Sequence, residues 1–170
     1  MKKLIALLAL VAPSLFATPL PLPPAEQLAH NTVTAIYERV MERPCHFRTA
    51  DCPDKCGHGM RVAIFRVVSN DSYDRPGQYG DDKLEPGEAC MVDLKKGVEG
   101  QDPAVIELIK GLKPGEAVQM TITHYYVKSN NCHYPVRPVT EIKRVEAPKQ
   151  LPDKKDSPVD HEEGVMPIAL

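Results

Sequence analysis

Cys45, His46, Cys52, Cys56 and His58 fall within fourteen residues of one another, in the segment PCHFRTADCPDKCGHGM. A second segment, KSNNCHYPVRP, carries Cys132 and His133. Thiol and imidazole groups gathered this way do one of two things: pair by oxidation, or hold a soft or borderline metal ion. The C-x3-C-x-H spacing of Cys52, Cys56 and His58 lets one turn aim three donors at a zinc or copper(I) ion. It differs from the C-x2-C and C-x4-C pairs of common zinc sites, and no second cysteine pair follows at the usual distance. His124 is a fourth candidate ligand, because it continues the face of Val118, Met120 and Ile122 toward the end of a strand. The competing reading is that Cys45, Cys52, Cys56 and Cys132 form two disulfides, with three connectivities open. Cys90 shares a strand face with Val92 and Leu94 and reads as an unpaired core thiol.

Which reading prevails depends on the compartment, and the N-terminus addresses it. Lys2 and Lys3 precede an apolar run from Leu4 to Ala12, followed by Pro13, Ser14 and a small residue at Ala17. That is the order of a secretory signal over residues 1–17, cleaved after Ala17. The run is far short of the roughly 20 residues of a membrane span, so no span is expected after cleavage. The mature chain is expected in an oxidising periplasmic or extracellular space, where the disulfide reading is favoured. Processing would remove Lys2 and Lys3, leaving 19 basic against 23 acidic residues and a formal charge of −4. Nucleic acid is therefore not an expected partner, since phosphate binding calls for a basic excess.

Other chemistry is sparse. Ser69, Ser72, Ser129 and Ser157 remain after processing, none in a G-x-S-x-G turn, and there is no H-E-x-x-H helix or phosphate-cradling glycine loop. The loop around Asp71, Asp74, Asp81, Asp82 and Glu85 lacks the alternation of a calcium-binding EF-hand. Tyr125, Tyr126 and Tyr134, with Arg137 close by, offer a stacking surface for a sugar or peptide. An enzyme is the minority reading.

These residues need a frame. Residues 18–30, with prolines at 19, 21, 23 and 24, read as an extended leader, and residues 148–170 as a proline-rich, charged, disordered tail. The folded domain is expected over residues 31–147. Within it, Thr32–Met41, Arg61–Ser69 and Glu88–Lys95 read as strands, the second apolar on both faces. Asp102 caps a helix with Pro103 in its first turn and Val105, Leu108, Ile109 and Leu112 on one face, and Gly111 is available for a left-handed close. After the turn Lys113-Pro114-Gly115, Ala117–Lys128 alternates with period two, and Val139–Glu146 gives a fifth strand. The order β-β-β-α-β-β is that of a five-stranded OB-like Greek-key barrel, all-β with one helix. In that architecture ligands lie across strands two and three, between the loops that here hold the cysteines.

The combination CPDKCGHG, RPGQYGDDK, THYYV and VRPV resembles a group of small exported bacterial proteins of uncharacterised activity, which carry a CPxxCGH loop, an HxYV segment and an RPV strand. The resemblance spans roughly residues 45 to 140 and implies that Cys52, Cys56, His58, His124 and Arg137 are the positions to test. Where those sequences have an acidic residue after the histidine of HxYV, this chain has Tyr125. The expected function is a non-enzymatic secreted binding module, disulfide-braced, taking a small ligand, a glycan or an envelope protein without a cofactor. The alternative is an envelope protein that binds zinc or copper.

Overall fold

The computed structural model describes residues 22–43, 59–79, 83–95, 98–128, 133–149 and 151–155. They form one six-stranded antiparallel sheet curled into a half-barrel, with a single helix. The elements are β1 (Ala25–Arg43), β2 (Met60–Asp74), β3 (Ala89–Asp93), α1 (Pro103–Lys110), β4 (Ala117–Lys128), β5 (His133–Val136) and β6 (Val139–Val145). Neighbours run β3-β2-β1-β4-β5, and β6 also pairs with β4. The chain thus builds β1, β2 and β3 as a meander, then crosses through α1 to lay β4 on the other side of β1.

β4 has the bounds its alternation predicts, since period two places Val118 and Met120 in the core and Gln119 on the outer face. β1 begins at Ala25, directly after Pro24, and pairs over its whole length with β2, β4 or both. The expected fifth strand, Val139–Glu146, is β6, and a short additional strand, β5, precedes it on the other side of Pro138. Pro138 has no N–H to give the ladder, so pairing with β4 stops after Val136 opposite Tyr125 and resumes at Val139 opposite Ile122. The Thr123 N–H is satisfied by the Pro138 carbonyl at 3.2 Å. Arg137, outside both ladders, leaves the plane of pairing.

Both faces of β2 are covered, as its sequence predicts. Ala63, Phe65 and Val67 join Val33, Tyr37, Val118 and Met120 in the main core, while Val62 and Ile64 pack with Met41 on the opposite side. α1 plugs one end with Val105, Ile106 and Ile109, and Leu112 follows them in. Asp102 caps it, accepting from the Ala104 N–H at 2.8 Å. Gly111, however, closes the helix at φ −88° rather than in the left-handed region. The last turn tightens instead, with Gly111 and Leu112 N–H donating to Leu108 and Ile109 carbonyls, and Arg144 donates to the Gly111 carbonyl at 2.7 Å.

The described residues show no ladder between β3 and β5 or β6, which leaves a seam. Gln101, 4% exposed, bridges its helix end: Nε2 donates to the Asp93 carbonyl at 3.1 Å and Oε1 accepts from the Val139 N–H at 3.5 Å. Residues 151–155 lie against the β2–β3 turn, where the Lys155 N–H donates to the Gly87 carbonyl at 3.0 Å. Gly87 is required there twice over, by its φ of 89° and because a Cβ would collide with the Asp153 carbonyl.

On the outer face Asp71 ties three strands together. Its carboxylate accepts from Ser69 at 2.7 Å, Thr34 at 2.8 Å and Gln119 at 2.7 Å. Burial raises the Asp71 pKa, but the hydrogen bonds from Ser69, Gln119 and Thr34 outweigh it and hold the carboxyl below its ordinary 3.8. A lowered acid pKa contributes stability that is present above the unfolded value and lost as pH falls through the folded one. Urea titrations between pH 6 and pH 2 should therefore show a steeper acid loss in the wild type than in Asp71→Asn. Parallel curves would show that Asp71 carries no such coupling.

Candidate functional site

The residues with the most chemistry among those described meet at the open part of the seam. A cavity of about 340 Å³ is lined by Ala89, Cys90 and Met91 of β3 on one side and by Ile122, His124 and Arg137 on the other. Asn31 of β1 and Leu84, from the β2–β3 connection, complete it. Each polar group arrives by a simple local rule. His124 is on the inner-face register of β4, opposite Ala29 in β1, and is 8% exposed. Asn31 occupies the inner-face position two residues before Val33 and lies opposite Ile122. Arg137 comes from the break that Pro138 imposes.

The orientation of Asn31 is fixed by a backbone donor. Its Oδ1 accepts from the Leu84 N–H at 3.2 Å and from Asn70 Nδ2 at 2.8 Å, while Asn70 Nδ2 also donates to the Leu84 carbonyl at 3.1 Å. A backbone N–H can only donate, so the oxygen of Asn31 faces Leu84 and its Nδ2 amide is a donor elsewhere. Cys90 is a free, buried thiol. Burial pushes its pKa from 9.0 up to about 12, so it is neutral at physiological pH and a poor nucleophile. Iodoacetamide at pH 8 should leave Cys90 unmodified in the native protein and label it in urea. Native labelling within minutes would contradict its burial. Because the folded thiol keeps its proton longer than the unfolded one, it contributes stability below pH 9.0 that is lost as pH rises toward about 12.

Of the residues singled out by sequence, His124 and Arg137 come together in this cavity. The tyrosines do not join them. Tyr126 lines a separate cavity of about 450 Å³ with Leu28, Gln78 and Tyr79, flanked by the Glu26–Lys128 ion pair at 3.2 Å. Its ring meets that of His133 edge-on at 5.8 Å. Tyr134 donates to Glu99 at 2.8 Å, and Tyr125, half-buried, lines neither cavity. Cys45, Cys52, Cys56, His58 and Cys132 lie outside the described residues, so neither the disulfide set nor the metal set around His124 is placed. Among the described residues no three His, Cys, Asp or Glu side chains are grouped to hold a metal ion. No described helix is long and apolar enough to cross a membrane.

A larger cleft of about 500 Å³ runs between α1 and β6. Part of its polar lining is already hydrogen-bonded: Thr32 to Thr121 at 3.3 Å, Thr140 to the Thr121 carbonyl at 3.4 Å, and Gln119 to Asp71, which lies outside the cleft. The seam cavity is lined by Asn31, His124 and the exposed Arg137 beside an apolar wall of Leu84, Ala89 and Ile122. Asn31 and Cys90 were the members hidden from sequence. The signal for Asn31 was a polar residue on the inner-face register of Val33 and Ala35. Comparison with known protein families, with curated proteins and with solved structures finds no match to this chain.

Proposed function

We propose that this chain is an exported, non-enzymatic binding module of OB-like architecture that takes a small ligand in the seam cavity. The convergence of Asn31, His124 and Arg137 on one cavity with an apolar wall carries the proposal. The neighbour order supports the OB reading: β3-β2-β1-β4, with β5 and β6 sharing the fifth lane, is that of an OB barrel opened between its third and fifth strands. α1 occupies the place of the helix that plugs such a barrel between strands three and four. Export rests on the charged and apolar order of residues 1–17, and an oxidising destination favours disulfides among Cys45, Cys52, Cys56 and Cys132. Labelling in urea without reductant should then modify Cys90 alone, and modification of all five cysteines would overturn the disulfides.

The binding reading is tested by titrating the mature chain with hexan-1-ol, hexanoate and hexylamine and following amide resonances by NMR. At least one probe should shift Cys90, Ile122 and His124, and Ile122→Phe, which fills the cavity, should abolish those shifts. No shift with any of the three, or shifts that survive Ile122→Phe, would sink the reading.

A further inference from the structure

We propose a second binding site, independent of the seam cavity: the pocket lined by Tyr79 and Tyr126 takes a neutral sugar ring. It is built at the end of the β1–β4 ladder that holds Ala25 and Val127. Glu26 of β1 lies opposite Tyr126 of β4, and Leu28 is the residue at which the ladder slips between Gln27 and Ala29. A slip of this kind re-aims one side chain, and Leu28 lines the pocket with only 6% of its surface exposed. The β2–β3 connection supplies Gln78 and Tyr79. Gly77 fixes where that connection lies. Its N–H donates to the Leu28 carbonyl at 3.3 Å, and a Cβ there would sit 2.8 Å from the Leu28 Cα, so a side chain would force the connection away from β1.

The lining combines ring faces with polar groups that have no other use. Tyr79 is 72% exposed and Tyr126 half-buried. The two rings line one cavity without contacting each other. Among the described residues, neither tyrosine hydroxyl nor the Gln78 amide has a hydrogen-bond partner. Glu26 and Lys128 neutralise each other at 3.2 Å, so the rim has no net charge to attract an ion, and a charged ligand would compete with that pair. A hydrocarbon would cover the rings but leave the phenol and amide groups facing it without partners. A sugar ring offers both surfaces: C–H faces that lie against aromatic rings, and hydroxyls that donate and accept as the phenols and the amide do. A proline-rich peptide also stacks on tyrosine, but its prolines have no N–H and give the Gln78 carbonyl nothing to receive. The cavity, about 450 Å³, falls within the range of small-ligand pockets and has room for a mono- or disaccharide.

The test uses cellobiose, whose equatorial hydroxyls leave C–H faces on both rings, followed by amide NMR of the protein. Leu28, Gly77 and Tyr79 should shift with a Kd of ~1–10 mM. Cys90 and Ile122 should stay still, so this outcome and that at the seam are read separately. Tyr79→Ala should weaken binding about five- to tenfold, and Tyr79→Phe, which keeps the ring face, should lose less. Gly77→Val, which displaces the connection without changing the lining side chains, should weaken it as well. Tyr79 is exposed, so its variants test the site without disturbing the core. No shift at these amides up to roughly 50 mM, or unchanged affinity in Tyr79→Ala, would overturn the site. Cyclohexanol acting at equal or lower concentration would show a merely apolar pocket, and a ten-residue polyproline doing so would show a peptide groove. Either result would overturn the sugar assignment.

Discussion

Replacing Phe65 with alanine is expected to lower the free energy of unfolding by about 3–5 kcal/mol, measured by equilibrium urea denaturation. Phe65 has no solvent exposure and is the largest fully buried side chain among the described residues. It is placed at the centre of β2, opposite Tyr37 in β1 and Cys90 in β3, so its ring is surrounded by three strands of the curled sheet. The Tyr37 ring is 5.5 Å away at 56°, a tilted contact that adds about 0.5–1.5 kcal/mol beyond burial alone. Alanine removes the ring and leaves a void that neighbouring strands, tied by their ladders, cannot collapse into. A domain of this size has about 5–15 kcal/mol in total, so the variant should unfold at a much lower midpoint with little change in slope. Phe65→Leu should lose clearly less, because it refills most of the volume. A loss under about 1 kcal/mol for the alanine variant would mean that the half-barrel does not pack around this ring.

The parts of the fold legible in the sequence are those with unbroken local signals. β4 alternates without interruption from Ala117 to Lys128, and α1 has Asp102, Pro103 and an apolar stripe in the right places. What escaped depends on partners distant in sequence. Asn70–Asp74 reads as turn because Asn, Asp and Ser are poor strand formers, yet it extends β2 by pairing with His30–Val33. Ala25–His30 was obscured by the prolines that precede it, although a proline before a strand removes no ladder bond. β5 carries Pro135 within only four residues, and it survives because it is an edge strand. The site divides in the same way. His124 was visible from strand parity, whereas the approach of Cys90, Asn31 and Arg137 to it requires the crossover through α1 that seats β4 beside β1.

The most consequential buried charge was also invisible locally. Arg66 is only 5% exposed, in the middle of an apolar strand, and its partner Glu38 comes from the position where β1 slips register between Tyr37 and Arg39. A bulge of this kind re-aims one side chain, and here it turns a carboxylate onto the guanidinium. Nε donates to Oε1 at 3.0 Å and the second fork nitrogen to Oε2 at 3.3 Å, while the remaining nitrogen reaches the Gly87 carbonyl at 3.1 Å and the Lys155 carbonyl at 3.5 Å. Glu38→Ala is therefore expected to cost about 3–5 kcal/mol, because it strands a buried cation rather than because the pair itself is worth that much. Arg66→Met combined with Glu38→Leu should recover most of the loss, since an apolar pair of similar volume needs no desolvation of charge. The consequence should extend to the chain's C-terminal side. Lys154 also reaches Glu38, at 3.6 Å, so amide exchange at Lys155, whose N–H is bound to Gly87, should quicken in Glu38→Ala. A cost under about 1 kcal/mol with unchanged exchange at Lys155 would show that Arg66 finds water when its carboxylate is removed.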